Sequence, residues 1–259
     1  DQSSAASDVY KRQTVNCLTF LKFGAENVLI ANPRDLKSFL KVLKKKKFTV
    51  MTAVNTLFNL LLTSKKFKEL DFSGFKFSVG GGMAVMSETA KNWKKVTGTN
   101  ITQGYGLTET SPVVSCNLPG HIKVETVGPP FKTNQVKIAD DGEILVKGEN
   151  VMLGYWNKEK ETNEILKNGW LHTGDIGEID LNGYLKITDR KKDIIVNHGG
   201  DNISPSKIEN TICNDEKIKQ CLVYGDKKNY LVALIVVEKK DKNDSTIRSI
   251  IENFNKKLS

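Results

Sequence analysis

The segment Gly104–Thr110 reads GYGLTET and sets an aromatic ring, a hydroxyl and a carboxylate close together, on Tyr105, Thr108 and Glu109. These three groups suit a nucleotide. The ring can stack on a base, the hydroxyl can touch a phosphate, and the carboxylate can hold Mg²⁺ beside phosphate oxygens. Taken alone, the same residues also read as a glycine-bounded turn around a core tyrosine.

Other stretches carry chemistry of the same kind. GGGM at Gly80–Met83 is a glycine-rich turn after an apolar run, GWLHTGD places Asp175 after a tryptophan and a histidine, and DRKKD offers Arg190 and Lys192. Gly199 and Gly200 open a further turn, GGDN. Each has a plain reading too: Asp175 as a turn aspartate, Arg190 and Lys192 as solvated linker charges, His172 as a packed or exposed neighbour without a role. Cys17, Cys116, Cys213 and Cys221 lack paired spacing and sit in apolar runs, as reduced thiols of a cytosolic protein do. None of His121, His172 and His198 has a partner at metal-ligand spacing, so no structural zinc is expected.

The elements that position these residues follow from periodicity. Residues 1–13 are polar, Ser/Ala-rich and without period, and are expected to be a disordered or foreign leader. A buried helix is expected through Leu18, Phe20 and Leu21. Strands are predicted at Asn27–Ala31, Phe48–Ala53, Phe75–Val79 and Ile101–Gln103. Between them lie helices: one opened by Asn32 and Pro33 with Leu36, Phe39, Leu40 and Leu43 on one face, one from Asn55, and one capped by Ser87 and ended by Gly98. Alternating strands and helices give a parallel sheet covered on both faces, with ligand contacts at the carboxyl ends of its strands. Residues 124–188 turn all-β, with turns at Asp141–Gly142 and Asn182–Gly183 and one helix over Asn157–Leu166. After a charged break at 189–192, residues 193–259 read as the start of a small α+β domain. It has a helix from Pro205 with Ile208, Thr211 and Ile212 inward, strands Lys219–Tyr224 and Leu231–Val237, and a last helix with Ile247, Ile250, Ile251, Phe254 and Leu258 on one face.

Composition narrows the partners. The net charge of +9 reflects lysines that are spread along the chain, with Lys44–Lys47 as the one long run, placed where a helix ends. Nucleic-acid binding would call for basic residues interleaved with aromatics on one face, so no nucleic-acid partner is expected. No apolar run reaches the ~18 residues of a transmembrane helix, and the N-terminus does not read as a signal peptide.

In order, GGGM, GYGLTE, GYW at Gly154, GWLHTGD, DRKKD and GGDNISPSKIE resemble the acyl-CoA synthetase branch of the adenylate-forming enzymes. The similarity covers the chain from Thr14 to Ser259. With NPRDLKSFL, VNTLFNLLL and YGDKKNYLVALIVV, it points most toward bacterial long-chain fatty-acid–CoA ligases. The resemblance implies an α/β fold: residues 14–123 as part of a parallel-sheet AMP-binding large domain, 124–188 as its β-rich subdomain, 189–192 as a hinge, and 193–259 as a truncated α+β C-terminal domain. It implies ATP, a fatty acid and CoA as small-molecule substrates and Mg²⁺ as the metal, in a cytoplasmic protein compatible with peripheral association at the inner membrane face.

Carried onto this sequence, the resemblance sets Gly82 and Met83 beside the adenine and stacks Tyr105 on it. Thr108 meets the α-phosphate, Glu109 binds Mg²⁺, Asp175 accepts from both ribose hydroxyls, and Arg190 reaches ribose or phosphate. Lys192 becomes the pivot of the small domain, and Gly200 leaves room for the CoA arm. The helix from Asn55 to Leu62 is either plain core or part of an acyl-tunnel wall with Asn55 in its lining. The family's Gly/Ser/Thr-rich phosphate loop and its late catalytic lysine have no counterpart here, and Lys256 and Lys257 fall in the wrong helix for that lysine. The chain is therefore expected to be a fragment that cannot complete adenylation. Two rival readings are a ligase for an aromatic or amino acid, and a non-catalytic basic binding module.

Overall fold

The computed structural model describes residues 17–30, 32–33, 35–82, 84–118, 120–213, 215, 217–237, 247–249, 251–252 and 254–255. The expected leader, Met83, and Ile250 and Leu258 of the last helix lie outside the described residues. The described residues fall into two compact units. The first draws on residues up to Ala139, Leu145–Thr173 and Ile179–Lys186; the second on Asp140–Ile144, Gly174–Glu178 and residues from Ile187 onward.

The first unit is built on a sheet in the order β1 (Val50–Ala53), β2 (Phe77–Gly80), β3 (Ile101–Tyr105) and β4 (Ser115–Cys116). The first three strands are parallel, with Ala53 opposite Gly80 and Gly80 opposite Gln103; β4 returns antiparallel, with Tyr105 opposite Ser115. A short helix α1 (Thr19–Lys22) precedes α2 (Leu36–Lys45). Helix α2 forms because Leu36, Phe39, Leu40 and Leu43 make one apolar stripe and Asp35 caps it, accepting from Ser38 N at 3.2 Å. Its closing lysines, Lys44 and Lys45, favour the helix dipole. Helices α3 (Asn55–Thr63), α4 (Lys65–Lys68) and α5 (Ser87–Thr97) complete the cover. Trp93 of α5 is fully buried against Phe58 and Phe67, and its indole N–H donates to Ser78 Oγ at 2.9 Å. That bond lets a large polar-tipped ring sit in an apolar core.

Five expectations change here. The helix expected to open at Asn32 and Pro33 begins at Leu36, because the Asp35 carboxylate supplies its cap. Residues 27–30 form no strand, and Leu29 is exposed. Among the described strands β1 has one neighbour, β2, so this apolar run meets no ladder on the other side. The helix near Leu18 is short, and Leu18 and Leu21 are exposed rather than buried. Ser87 does not cap α5: Met86 holds the N-cap position, and Ser87 Oγ donates to Glu125 instead. Strand β3 runs on through Gly104 to Tyr105, because β4 supplies a partner for both residues.

Strands β5 (Asn134–Ile138), β6 (Glu143–Gly148), β7 (Leu166–Lys167) and β8 (Trp170–Ile179) join in the order β5-β6-β8-β7, with β9 (Leu185–Arg190) on β8. Helix α6 (Glu159–Ile165) leads into β7. The second unit continues with a 3₁₀ turn at Lys191–Asp193, an antiparallel pair β10 (Ile195–Val196) and β11 (Asn202–Ile203), helix α7 (Pro205–Ile212), and the antiparallel pair β12 (Ile218–Tyr224) and β13 (Val232–Val237). Ser204 caps α7 by accepting from Lys207 N, with proline at the first helical turn. Ile212 is buried, but Thr211 is exposed and its hydroxyl turns back to Lys207 O at 2.7 Å. Residues 247–249, 251–252 and 254–255 are helical.

Candidate functional site

Parallel pairing brings the carboxyl ends of β2 and β3 to one edge of the first unit's sheet, the edge where open α/β sheets take ligands. The GGGM turn leaves β2 there, with Gly82 exposed at φ +83°. A Cβ on Gly81 would stand 4.0 Å from Gly104 O, so the two glycine-rich turns are neighbours.

Beyond Tyr105, which is buried, the chain makes a tight reversal. A Cβ at Gly106 would lie 1.7 Å from Pro112 O, so only glycine allows the chain to fold back so closely. Thr110, fully buried, ties the reversal internally: Leu107 N donates to its hydroxyl at 2.9 Å. Thr108, Glu109 and Thr110 form one 3₁₀ turn, with Thr108 exposed and Glu109 half-buried. Glu109 Oε1 accepts from the Tyr155 hydroxyl at 2.6 Å. Burial, then the Glu109 carboxylate, push the Tyr155 phenol far above its usual range. The contact spans 46 residues, and the GYW motif at Gly154 was the only sequence signal for Tyr155.

In the second unit Asp175 is buried in β8 and Arg190 Nε lies 2.8 Å from its Oδ1. The next residue, Lys191, bonds to Asp141 Oδ2 at 2.6 Å and to Glu143 Oε2 at 3.0 Å. Glu143, also buried, accepts from Gly174 N at 2.9 Å with its other oxygen. Hydrogen bonds from Lys191 hold Asp141 below the usual carboxylate range, and the two carboxylates raise Lys191. Lys192 is exposed in the same 3₁₀ turn, and Gly200 sits at φ +87° in the loop between β10 and β11 with open space where a Cβ would be. The structure thus places Tyr105 at the end of β3, with Thr108 and Glu109 on the turn that follows in the first unit, and joins Asp175 to Arg190 in the second. Asn55 is engaged locally, its Oδ1 accepting from Met86 N at 3.1 Å, while Phe58 and Leu61 of the same helix are core.

Among the described residues no group of three or more His, Cys, Asp or Glu could hold a metal. Mg²⁺ commonly uses one or two carboxylates with substrate phosphates and water, and the half-buried carboxylate of Glu109 is a group of that kind.

Residues 11–156 match the AMP-binding enzyme family, and residues 192–259 match the AMP-binding enzyme C-terminal domain. The chain is 45% identical over 224 residues to the long-chain-fatty-acid–CoA ligase of Salmonella typhimurium, covering 82% of this chain and 40% of that protein. It is 42% identical over 251 residues to that of Haemophilus influenzae, covering 93% of this chain and 44% of that protein. Among solved structures, the anthranilate CoA ligase AuaEII in complex with anthranoyl-AMP superposes with a TM-score of 0.81 at 26% identity, over 91% of this chain and 49% of that one. The O-succinylbenzoate coenzyme A synthetase of Bacillus subtilis, in complex with ATP and magnesium ion, gives 0.68 at 28% identity over 79% of this chain and 45% of that one. The chain spans well under half the length of these curated relatives. With its motif order, parallel sheet and both family segments in agreement, the chain belongs to the AMP-binding enzymes.

Proposed function

We propose that this chain carries the adenylate-binding part of a long-chain fatty-acid–CoA ligase. In that reaction the fatty-acid carboxylate attacks the α-phosphate of ATP, giving acyl-AMP and pyrophosphate. The CoA thiol then attacks the acyl carbon, loses its proton and expels AMP. The observation that carries the reading is the turn after β3, which presents an exposed Thr108 and a half-buried Glu109 at the ligand edge of a parallel sheet.

In this reading Gly82, Met83 and Tyr105 border the adenine, and the Thr108 hydroxyl donates to the α-phosphate. Glu109 would hold Mg²⁺, which when bound neutralises charge on the phosphate oxygens. Asp175, with two acceptor oxygens, takes the ribose hydroxyls, and Arg190 keeps that carboxylate in place while reaching toward ribose or phosphate. Lys192 is the pivot of a domain rotation between the two half-reactions, and Gly200 admits the CoA arm. Residues 14–123 and 124–188 belong to the large domain and 193–259 to the rotating one. Cytoplasmic residence, with contact at the inner membrane face where fatty acids partition, belongs to the same reading. Among the described residues no helix is long and apolar enough to cross a membrane.

An aromatic acid is the second reading, supported by the anthranilate and O-succinylbenzoate ligases among the structural neighbours. Identity favours the fatty acid, at 42–45% against 26–28%. The test is acid-dependent ATP–pyrophosphate exchange by the gene product that contains this chain. Palmitate is expected to drive exchange well above benzoate, anthranilate or an amino acid. Exchange driven by one of those, with palmitate inert, would overturn the fatty-acid reading.

A further inference from the structure

The loop from Asn150 to Tyr155 straps the Thr108–Thr110 turn at three points. Asn150 Nδ2 donates to Thr110 O at 2.7 Å, Met152 N donates to Glu109 O at 2.8 Å, and the Tyr155 hydroxyl donates to Glu109 Oε1 at 2.6 Å. The first two bonds fix the backbone of the turn. The third acts on the carboxylate itself.

The loop is shaped to deliver that hydroxyl. Gly154 sits at φ +156°, and a Cβ there would lie 2.9 Å from Thr162 Cγ2, so a larger residue is opposed by both backbone and space. Tyr155 N donates to Thr162 Oγ1 at 2.9 Å, and Thr162 Oγ1 donates in turn to Lys158 O at 2.8 Å. Tyr155 is therefore anchored to helix α6 at its backbone and to Glu109 at its tip. The flanking Leu153 and Trp156 stand in solvent, so the loop is not held by apolar burial of those two side chains.

We propose that Tyr155 is a positioning residue, holding Glu109 Oε1 so that Oε2 is presented to a divalent cation bound with the phosphates of a nucleotide. This rests on the nucleotide reading above. A lone, flexible glutamate must give up its rotamer freedom to bind a cation. A hydrogen bond to one oxygen removes that freedom beforehand and leaves lone pairs on the other. Partners of metal-binding side chains commonly change metal affinity by about 10–100-fold.

The test is the gain in ATP affinity that Mn²⁺ confers on the 259-residue chain, measured by calorimetry with and without the metal, with water-proton relaxation reporting the ternary complex. In the wild type the gain is expected to be clear, in E109Q lost, and in Y155F reduced about tenfold. A purely structural clip would lower the Y155F melting temperature and leave the gain intact. A gain lost in E109Q but kept in Y155F overturns the role of Tyr155 and leaves the nucleotide reading standing. No gain in the wild type, or one kept in E109Q, overturns both. Should Y155F melt too early, Thr162→Val withdraws the acceptor for Tyr155 N; a several-fold smaller gain there supports the proposal, and an unchanged gain overturns it.

Discussion

Arg190 pairs with Asp175 through a 2.8 Å contact between a half-exposed guanidinium and a buried carboxylate. The two residues are 15 positions apart, on strands β8 and β9, which lie side by side. The asymmetry of exposure decides the outcome of mutation. Removing the guanidinium takes a charge-assisted bond from a carboxylate that water cannot readily reach, worth about 1.5–3 kcal/mol. R190M is therefore expected to lower the unfolding free energy by about 2 kcal/mol, read as a lower urea midpoint at unchanged slope.

Lys191 adds a pH dependence to the same turn. Its hydrogen bonds hold Asp141 below the ordinary 3.8, so the pair adds stability above that pH and loses it as pH falls through the lower folded value. Lys191 is raised above the ordinary 10.5, so its share is complete below that pH and disappears as pH rises through the higher folded value. Asp141 and the lysine tip are half-exposed, which holds the effect to about 1 kcal/mol or less. Melting curves of wild type and K191M should differ by a constant amount between those limits, larger than the Asp141 share alone because buried Glu143 also loses a partner, and converge below and above them. Curves that stay parallel down to the most acid pH would remove the pair as the cause.

Trp93 tests the core that carries the ligand edge. It is fully buried among Phe58, Phe67 and Phe75, with its N–H on Ser78 Oγ of β2. W93F leaves a cavity and removes the donor for a buried hydroxyl, for an expected loss of about 2–3 kcal/mol in chemical denaturation. W93F as stable as the wild type would mean that the aromatic cluster collapses onto the space.

Much of the first unit was legible because its signals are local. The period of Leu36, Phe39, Leu40 and Leu43 gave α2, and short apolar runs before glycine turns gave β2 and β3. Asn27–Ala31 has the same apolar look, but a strand needs a neighbour, and local sequence cannot supply one. Leu18 and Leu21 look like core residues for the same reason and are exposed. The motifs named Thr108, Glu109, Asp175 and Arg190 one at a time. The contacts that set their geometry, Tyr155 on Glu109 and Arg190 on Asp175, join positions 46 and 15 apart and left no periodic trace.

The central claim is that these 259 residues hold the AMP-facing side of an adenylate site. Isothermal titration of AMP into the wild-type chain, T108V and D175A tests it most directly. One AMP per chain is expected in the wild type, with affinity lowered at least tenfold in D175A and several-fold in T108V. No measurable AMP binding, or binding that both substitutions leave untouched, would contradict it.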